Sequence, residues 1–130
     1  MSTVEAELVR TQLTRVLVIE DDHHLRDLLE VVLDLEPGIE VETLADERRA
    51  LEAYRRYQPD VVVLDLMLPH IGGDEIAAQL RAERPEVKII SISGLEPSPR
   101  AWADEQVVKC GSMVEDLQRA LGSERSHRQP

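Results

Sequence analysis

Two short, unbroken apolar runs, Val16–Ile19 and Val61–Leu64, each pass directly into acid: Glu20-Asp21-Asp22 after the first and Asp65 after the second. A four-residue run without alternation is the pattern of a strand covered on both faces, as where helices flank a parallel sheet. The runs therefore constrain the fold class and also put carboxylates at the ends of two buried strands. Like charges gathered there repel, so the cluster is expected to hold a divalent cation or to shift its pKa values.

The remaining pattern alternates helix and strand. A helix over about 25–35 carries Leu25, Leu28, Leu29, Val32 and Leu33 on one face and stops at Pro37-Gly38. Ile39–Leu44 alternates apolar with acidic and polar residues, which suits a strand near a sheet edge. Asp46 can cap a second helix that reaches about Tyr57 and ends at Gln58-Pro59. A loop with Pro69, Gly72 and Gly73 precedes a third helix, from Asp74 to about Glu83. Strands over Val87–Ile92 and Gln106–Val108 and a closing helix over Met113–Leu121 complete the series. This order predicts an α/β fold, a doubly wound five-stranded parallel sheet, with one unit over 14–122 between tails at 1–13 and 123–130. Ligand sites in such sheets lie beyond the carboxyl ends of the strands. Glu20, Asp21, Asp65, Ser93 and Lys109 all fall just past a predicted strand end, so polar groups from four strands converge on one rim.

Composition narrows the classes. At 130 residues, 42% hydrophobic and 32% charged, the chain has the make-up of one soluble globular domain. No apolar run approaches a membrane span, and the acid-containing N-terminus is not a signal peptide. A formal net charge of −11 argues against direct nucleic-acid binding by this unit. The single cysteine, Cys110, cannot form an internal disulfide, which suits a reducing cytoplasm. With no Phe, the core must be built from Leu, Val, Ile and Ala.

The rim has the parts for phosphoryl transfer. Asp65, held rigidly by the most apolar strand, is the candidate nucleophile, and a carboxylate attacking a phosphoryl donor gives an acyl phosphate. Negative charge then meets negative charge, so a cation must intervene. Asp21, with Glu20 and Asp65, offers oxygen ligands for Mg²⁺, which keeps waters and needs few carboxylates. Lys109 is placed to pair with one phosphoryl oxygen and the Ser93 hydroxyl to donate to another.

In these residues the chain resembles the receiver domain of two-component response regulators. The resemblance rests on Val16-Leu-Val-Ile-Glu-Asp-Asp22, Val61-Val-Val-Leu-Asp-Leu-Met-Leu-Pro69, Gly72-Gly73, Ile89-Ile-Ser-Ile-Ser-Gly94 and Val107-Val-Lys109. It covers about 15–121. It implies a flavodoxin-like sheet of order 2-1-3-4-5, an order that comes from the resemblance and not from residue patterns. It further implies that Asp65 accepts phosphate from a sensor histidine kinase or phosphotransfer protein, with Glu20 and Asp21 as the acidic metal site. Ser93 would be the switch hydroxyl and Lys109 the phosphate-pairing lysine. Output would pass to a protein partner, a second copy included, through a charge and hydrogen-bond change that biases a two-state element.

Three departures from the family pattern bear on output. Cys110 stands where proline usually follows the lysine; a non-proline cis bond costs about 2.5–4 kcal/mol, so the family's cis form loses its main support. Gln106 stands where an aromatic usually couples to the switch hydroxyl. Only fifteen residues separate Ser93 from Lys109, several fewer than usual. The segment between them carries Pro97 and Pro99 and little apolar periodicity, so a loop or single turn is expected in place of a regular fourth helix, with Trp102 filling the space.

Other readings stay in view. Asp22 is better read as a helix cap or a solvated residue, His23-His24 as solvated, Cys110 as a small loop residue, and Arg48-Arg49 and Arg55-Arg56 as an outer helix face. A haloacid dehalogenase-type phosphatase would need a second Asp two residues after the nucleophile, where this chain has Met67. A receiver-like interaction module that never takes phosphate is the stronger rival, because of the altered 94–110 region. The expected activity is at most self-catalysed phosphotransfer and slow acyl-phosphate hydrolysis, in a unit that signals by protein contact.

Overall fold

Each predicted strand forms, and all five lie parallel in one sheet of order β2-β1-β3-β4-β5. They are β1 (Thr14–Ile19), β2 (Ile39–Leu44), β3 (Val61–Asp65), β4 (Lys88–Ser93) and β5 (Glu105–Val108). The computed structural model describes residues 13–94 and 99–128, with side chains up to residue 122. The order is that of flavodoxin-like folds, with the alternating strand at Ile39–Leu44 on an edge, as its pattern predicts. Among the described residues no helix is long and apolar enough to cross a membrane.

The period-2 geometry of a strand sends neighbouring side chains to opposite faces, so the apolar runs feed two cores. Val16, Val18, Val61 and Val63 join Ile90, Ile92 and Val107 on one face. There they meet Leu29 and Leu33 of α1 (His23–Asp34) and Leu117 and Leu121 of α4 (Met113–Arg128). Leu17, Ile19, Val62 and Leu64 face the other way, against α2 (Ala50–Tyr57) and α3 (Gly73–Glu83). Full burial of each such side chain stabilises by about 1.5–3 kcal/mol relative to exposure. The missing phenylalanines are offset on this second face by Tyr54 and Tyr57, both buried, and Tyr57 Oη donates to the Glu40 carbonyl at 3.1 Å.

Local signals set the helix ends. Asp22 caps α1, accepting from His24 N at 3.0 Å and Leu25 N at 3.4 Å. The turn after α1 places Gly38 at φ 82°, a conformation glycine adopts without steric cost. The second helix is split: Asp46 caps a 3-10 turn, Glu47–Arg49, and the α-helix proper starts at Ala50.

Five points differ from the sequence expectations or complete them. Leu28, expected on the covered face of α1, is 47% exposed, because the sheet reaches only the narrower stripe around Leu25, Leu29 and Leu33. The closing helix does not stop at Leu121 but runs to Arg128, past Gly122. A lone glycine weakens a helix by only ~1 kcal/mol against alanine, and Gly122 lacks the positive φ that would make it a cap. Between β4 and β5 the described residues form no helix, only a turn at 101–102; residues 95–98 of that expected loop lie outside the description. The N-terminal tail expected over 1–13 also lies outside it as far as residue 12. All peptide bonds among the described residues, Lys109–Cys110 included, are trans.

Candidate functional site

Strand register builds the site. Ile19 pairs with Leu64 and Asp65 with Ile92, so β1, β3 and β4 end nearly level. Glu20 follows Ile19, and Ser93 lies one position beyond the partner of Asp65. The β4–β5 pairing ends at Ser93 with Val108, and Lys109 N donates to the Ser93 carbonyl at 3.0 Å. Backbone ladders thus deliver residues far apart in sequence to one rim.

Glu20 and Asp65 are buried and Asp21 is exposed, and the three present oxygens within 4.8 Å of one another. Lys109 Nζ donates to Asp65 Oδ2 at 2.9 Å and lies 3.1 Å from Glu20 Oε1. The second approach lacks hydrogen-bond alignment, and neither Glu20 oxygen has a hydrogen-bond partner although both are shut from solvent. The other oxygen of Asp65, Oδ1, accepts from Met67 N at 2.9 Å, which fixes the start of the following loop. Arg26, whose role was not visible in the sequence, donates to the carbonyls of Glu20 at 3.1 Å and Asp21 at 3.3 Å and ties α1 to the rim.

The charges answer to one another. Burial first, then the neighbouring Asp65 carboxyl, pushes the Glu20 carboxyl up from 4.5 to about 8, while Lys109 opposes the rise. Burial alone would lower the Lys109 ammonium, but Asp65 and Glu20 outweigh it and hold it above its usual value. A crowded acid pair with one lysine between its members can take up a cation or a proton.

Gly73, at the start of α3, permits a close approach here. A Cβ on it would stand 3.2 Å from Leu66 Cα and 3.4 Å from the Asp65 carbonyl oxygen. The residues read as bystanders stay outside the rim: Asp22 is a cap, His23 and His24 are exposed, and Cys110 is exposed. A further contact went unforeseen, between buried Glu47 and His70 in the loop after Asp65. Nothing in the spacing signals it, since Glu47 reads as a solvated helix residue.

The family profile described as "Response regulator receiver domain" matches residues 16–110. The chain is 36% identical, over 85% of its length, to protein-glutamate methylesterase/protein-glutamine glutaminase 5 of Anaeromyxobacter dehalogenans. It is 41% identical, over 68% of its length, to the C4-dicarboxylate transport transcriptional regulatory protein DctD of Pseudomonas aeruginosa. It spans only 30% and 19% of those two proteins. Among solved structures it is similar to the response regulator protein TrrA of Thermotoga maritima in complex with Mg²⁺-BeF. There the TM-score is 0.72 and the identity 28%, covering 85% of this chain and 98% of that one.

Proposed function

This chain belongs to the response regulator receiver domain family, and we propose that within it Asp65 accepts a phosphoryl group from a histidine kinase. It is a receiver domain of two-component signalling. The observation that carries the assignment to Asp65 is its place: buried at the end of β3, with Lys109 on one oxygen and two further carboxylates beside it.

Glu20, Asp21 and Asp65 would hold Mg²⁺. The fit rests on the two buried Glu20 oxygens, which lack hydrogen-bond partners and for which a cation is the natural neighbour. When bound, the ion supplies positive charge between the attacking carboxylate and the incoming phosphoryl oxygens. Asp65 Oδ forms the new bond to phosphorus as the donor's bond breaks, and the donor leaves with the electron pair. Lys109, already directed at Asp65, shifts to a phosphoryl oxygen, and Ser93 donates its hydroxyl proton to another. Met67 N keeps the Asp65 side chain in one orientation throughout.

Met67 occupies the place where a dehalogenase-type phosphatase keeps its second acid, so hydrolysis of the acyl phosphate is slow. No observation favours the phosphate-free platform reading. A cytoplasmic setting agrees with the exposed, unpaired Cys110. Output would pass to a protein partner through the altered 94–110 region.

Intact mass after incubation with acetyl phosphate tests the proposal. The wild type gains one phosphate only with Mg²⁺, and Asp65→Asn gains none. An unmodified wild type, or equal modification of the variant, removes Asp65 from the acceptor role.

A further inference from the structure

A second group of ligand-type side chains lies outside the rim. Asp46, Glu47 and His70 each offer one atom within 4.8 Å of the others. Glu47 stands in the 3-10 turn after β2 and His70 in the loop after Asp65, so the group bridges two loops. The Glu47 side chain is fully buried, and its Oε1 accepts from His70 N at 2.9 Å and meets His70 Nδ1 at 2.6 Å. Its other oxygen, Oε2, is closed off from solvent and has no hydrogen-bond partner. An orphaned buried acceptor costs about 1–3 kcal/mol, more for a charged group, and this one belongs to a carboxylate already facing an imidazole and a second acid.

The second acid is ionised. Hydrogen bonds from the Arg48 side chain and backbone hold the Asp46 carboxyl down at about 2. Asp46 Oδ1 accepts from Arg48 N and Nε, both at 3.0 Å, and Oδ2 accepts from an Arg48 terminal nitrogen at 3.0 Å, which leaves a further lone pair on Oδ2. One imidazole nitrogen with two carboxylates is a donor set for a borderline ion such as Zn²⁺, and unlike the all-oxygen rim it does not favour Mg²⁺.

We propose that Asp46, Glu47 and His70 bind one Zn²⁺-class ion, which ties the end of β2 to the loop following Asp65. Ligands about 2.0–2.2 Å from zinc in a tetrahedron stand about 3.4 Å apart, so the Nδ1–Oε1 pair opens and the neutral imidazole binds by Nδ1 with its proton on the outer nitrogen, Nε2. The His70 side chain, 46% exposed, has room to make that shift. The claim does not depend on phosphate acceptance by Asp65.

Calorimetric titration of the whole chain with ZnCl₂, in millimolar Mg²⁺ to occupy the rim, is the test. The wild type binds one equivalent, His70→Gln loses roughly 10–100-fold or more in affinity, and His23→Gln binds as the wild type does. Glu47→Gln repeats the loss where it folds. The His70 ring nitrogen resonances of the wild type must also shift on zinc addition. Absence of zinc binding, binding unchanged in His70→Gln, loss in His23→Gln, or unmoved His70 resonances would each overturn the assignment.

Discussion

The rim at the ends of β1 and β3 and the segment between β4 and β5 are held by different forces. At the rim, parallel ladders fix the backbone and the flanking residues Ile19, Leu64 and Ile92 are fully buried. The segment is held by polar clips. Arg81 donates to the Trp102 carbonyl and to Asp104 Oδ2, both at 2.8 Å, and Asp104 Oδ2 also accepts from Ile89 N at 2.8 Å. Trp102 Nε1 donates to Asp74 Oδ1 at 2.7 Å, and Arg100 Nε to the same oxygen at 2.9 Å. Each clip contributes about 0.5–1.5 kcal/mol net, less where exposed. The rim therefore rests on the core, while the described part of the β4–β5 segment hangs on contacts that can be exchanged without unfolding the domain.

Truncating one residue in each region gives the largest contrast. Leu64→Ala, beside Asp65 and fully buried, is expected to destabilise by about 2–5 kcal/mol and to lower the urea midpoint accordingly. Trp102→Ala, half-buried against the second core, should cost about 1–2 kcal/mol and leave the yield of phosphorylated protein unchanged. Equal costs from chemical denaturation would erase the distinction between the regions.

Proton linkage at the rim comes next. The Glu20 carboxyl stands at about 8 in the folded chain against an ordinary value of 4.5, so between these pH values the folded state binds more protons than the unfolded. The associated stability is complete below about 4.5 and is lost as pH rises through about 8. Without Mg²⁺ the melting temperature should therefore fall from pH 5 to pH 8, and Glu20→Gln should flatten that fall. Because the ion displaces a proton, Mg²⁺ affinity should rise with pH up to about 8, by at most about tenfold per unit. Thermal melts and Mg²⁺ titrations at both pH values decide it, and a slope that persists in Glu20→Gln would assign the linkage elsewhere.

The same division explains what the sequence discloses. Val16–Ile19 and Val61–Leu64 announce their strands because both faces are covered, and a strand end fixes where the next carboxylate goes; the five rim residues were legible for that reason. The absence of a helix between β4 and β5 among the described residues was legible from Pro97 and Pro99. Contacts made by single polar side chains across long separations were not. Arg26 on the Glu20 and Asp21 carbonyls, Glu47 turned inward to His70, and Asp74 under Trp102 leave no periodic trace. The run of the closing helix past Leu121 was not legible either, because whether Gly122 takes the positive φ of a cap depends on the chain around it.

The smallest effect lies where the two regions touch. Asp74 stands in the first turn of α3, nine positions after Asp65, and the neighbouring Gly73 packs against Leu66 and the Asp65 carbonyl. A phosphoryl group on Asp65, as proposed above, would draw Lys109 and the loop toward itself. Gly73 offers no side chain to absorb that movement, so it would reach Asp74 and, through a 2.7 Å hydrogen bond, the only tryptophan in the chain. Addition of Mg²⁺ and fluoroberyllate should therefore alter Trp102 emission and the backbone resonances of 99–104. Asp74→Asn weakens the bonds from Trp102 and Arg100 at a stability cost of about 0.5–1.5 kcal/mol. It should abolish the fluorescence response while the phosphate gain at Asp65 persists. A full response in that variant would show that the signal leaves the rim by Ser93 and β5 instead, and that the polar clips only hold the segment in place.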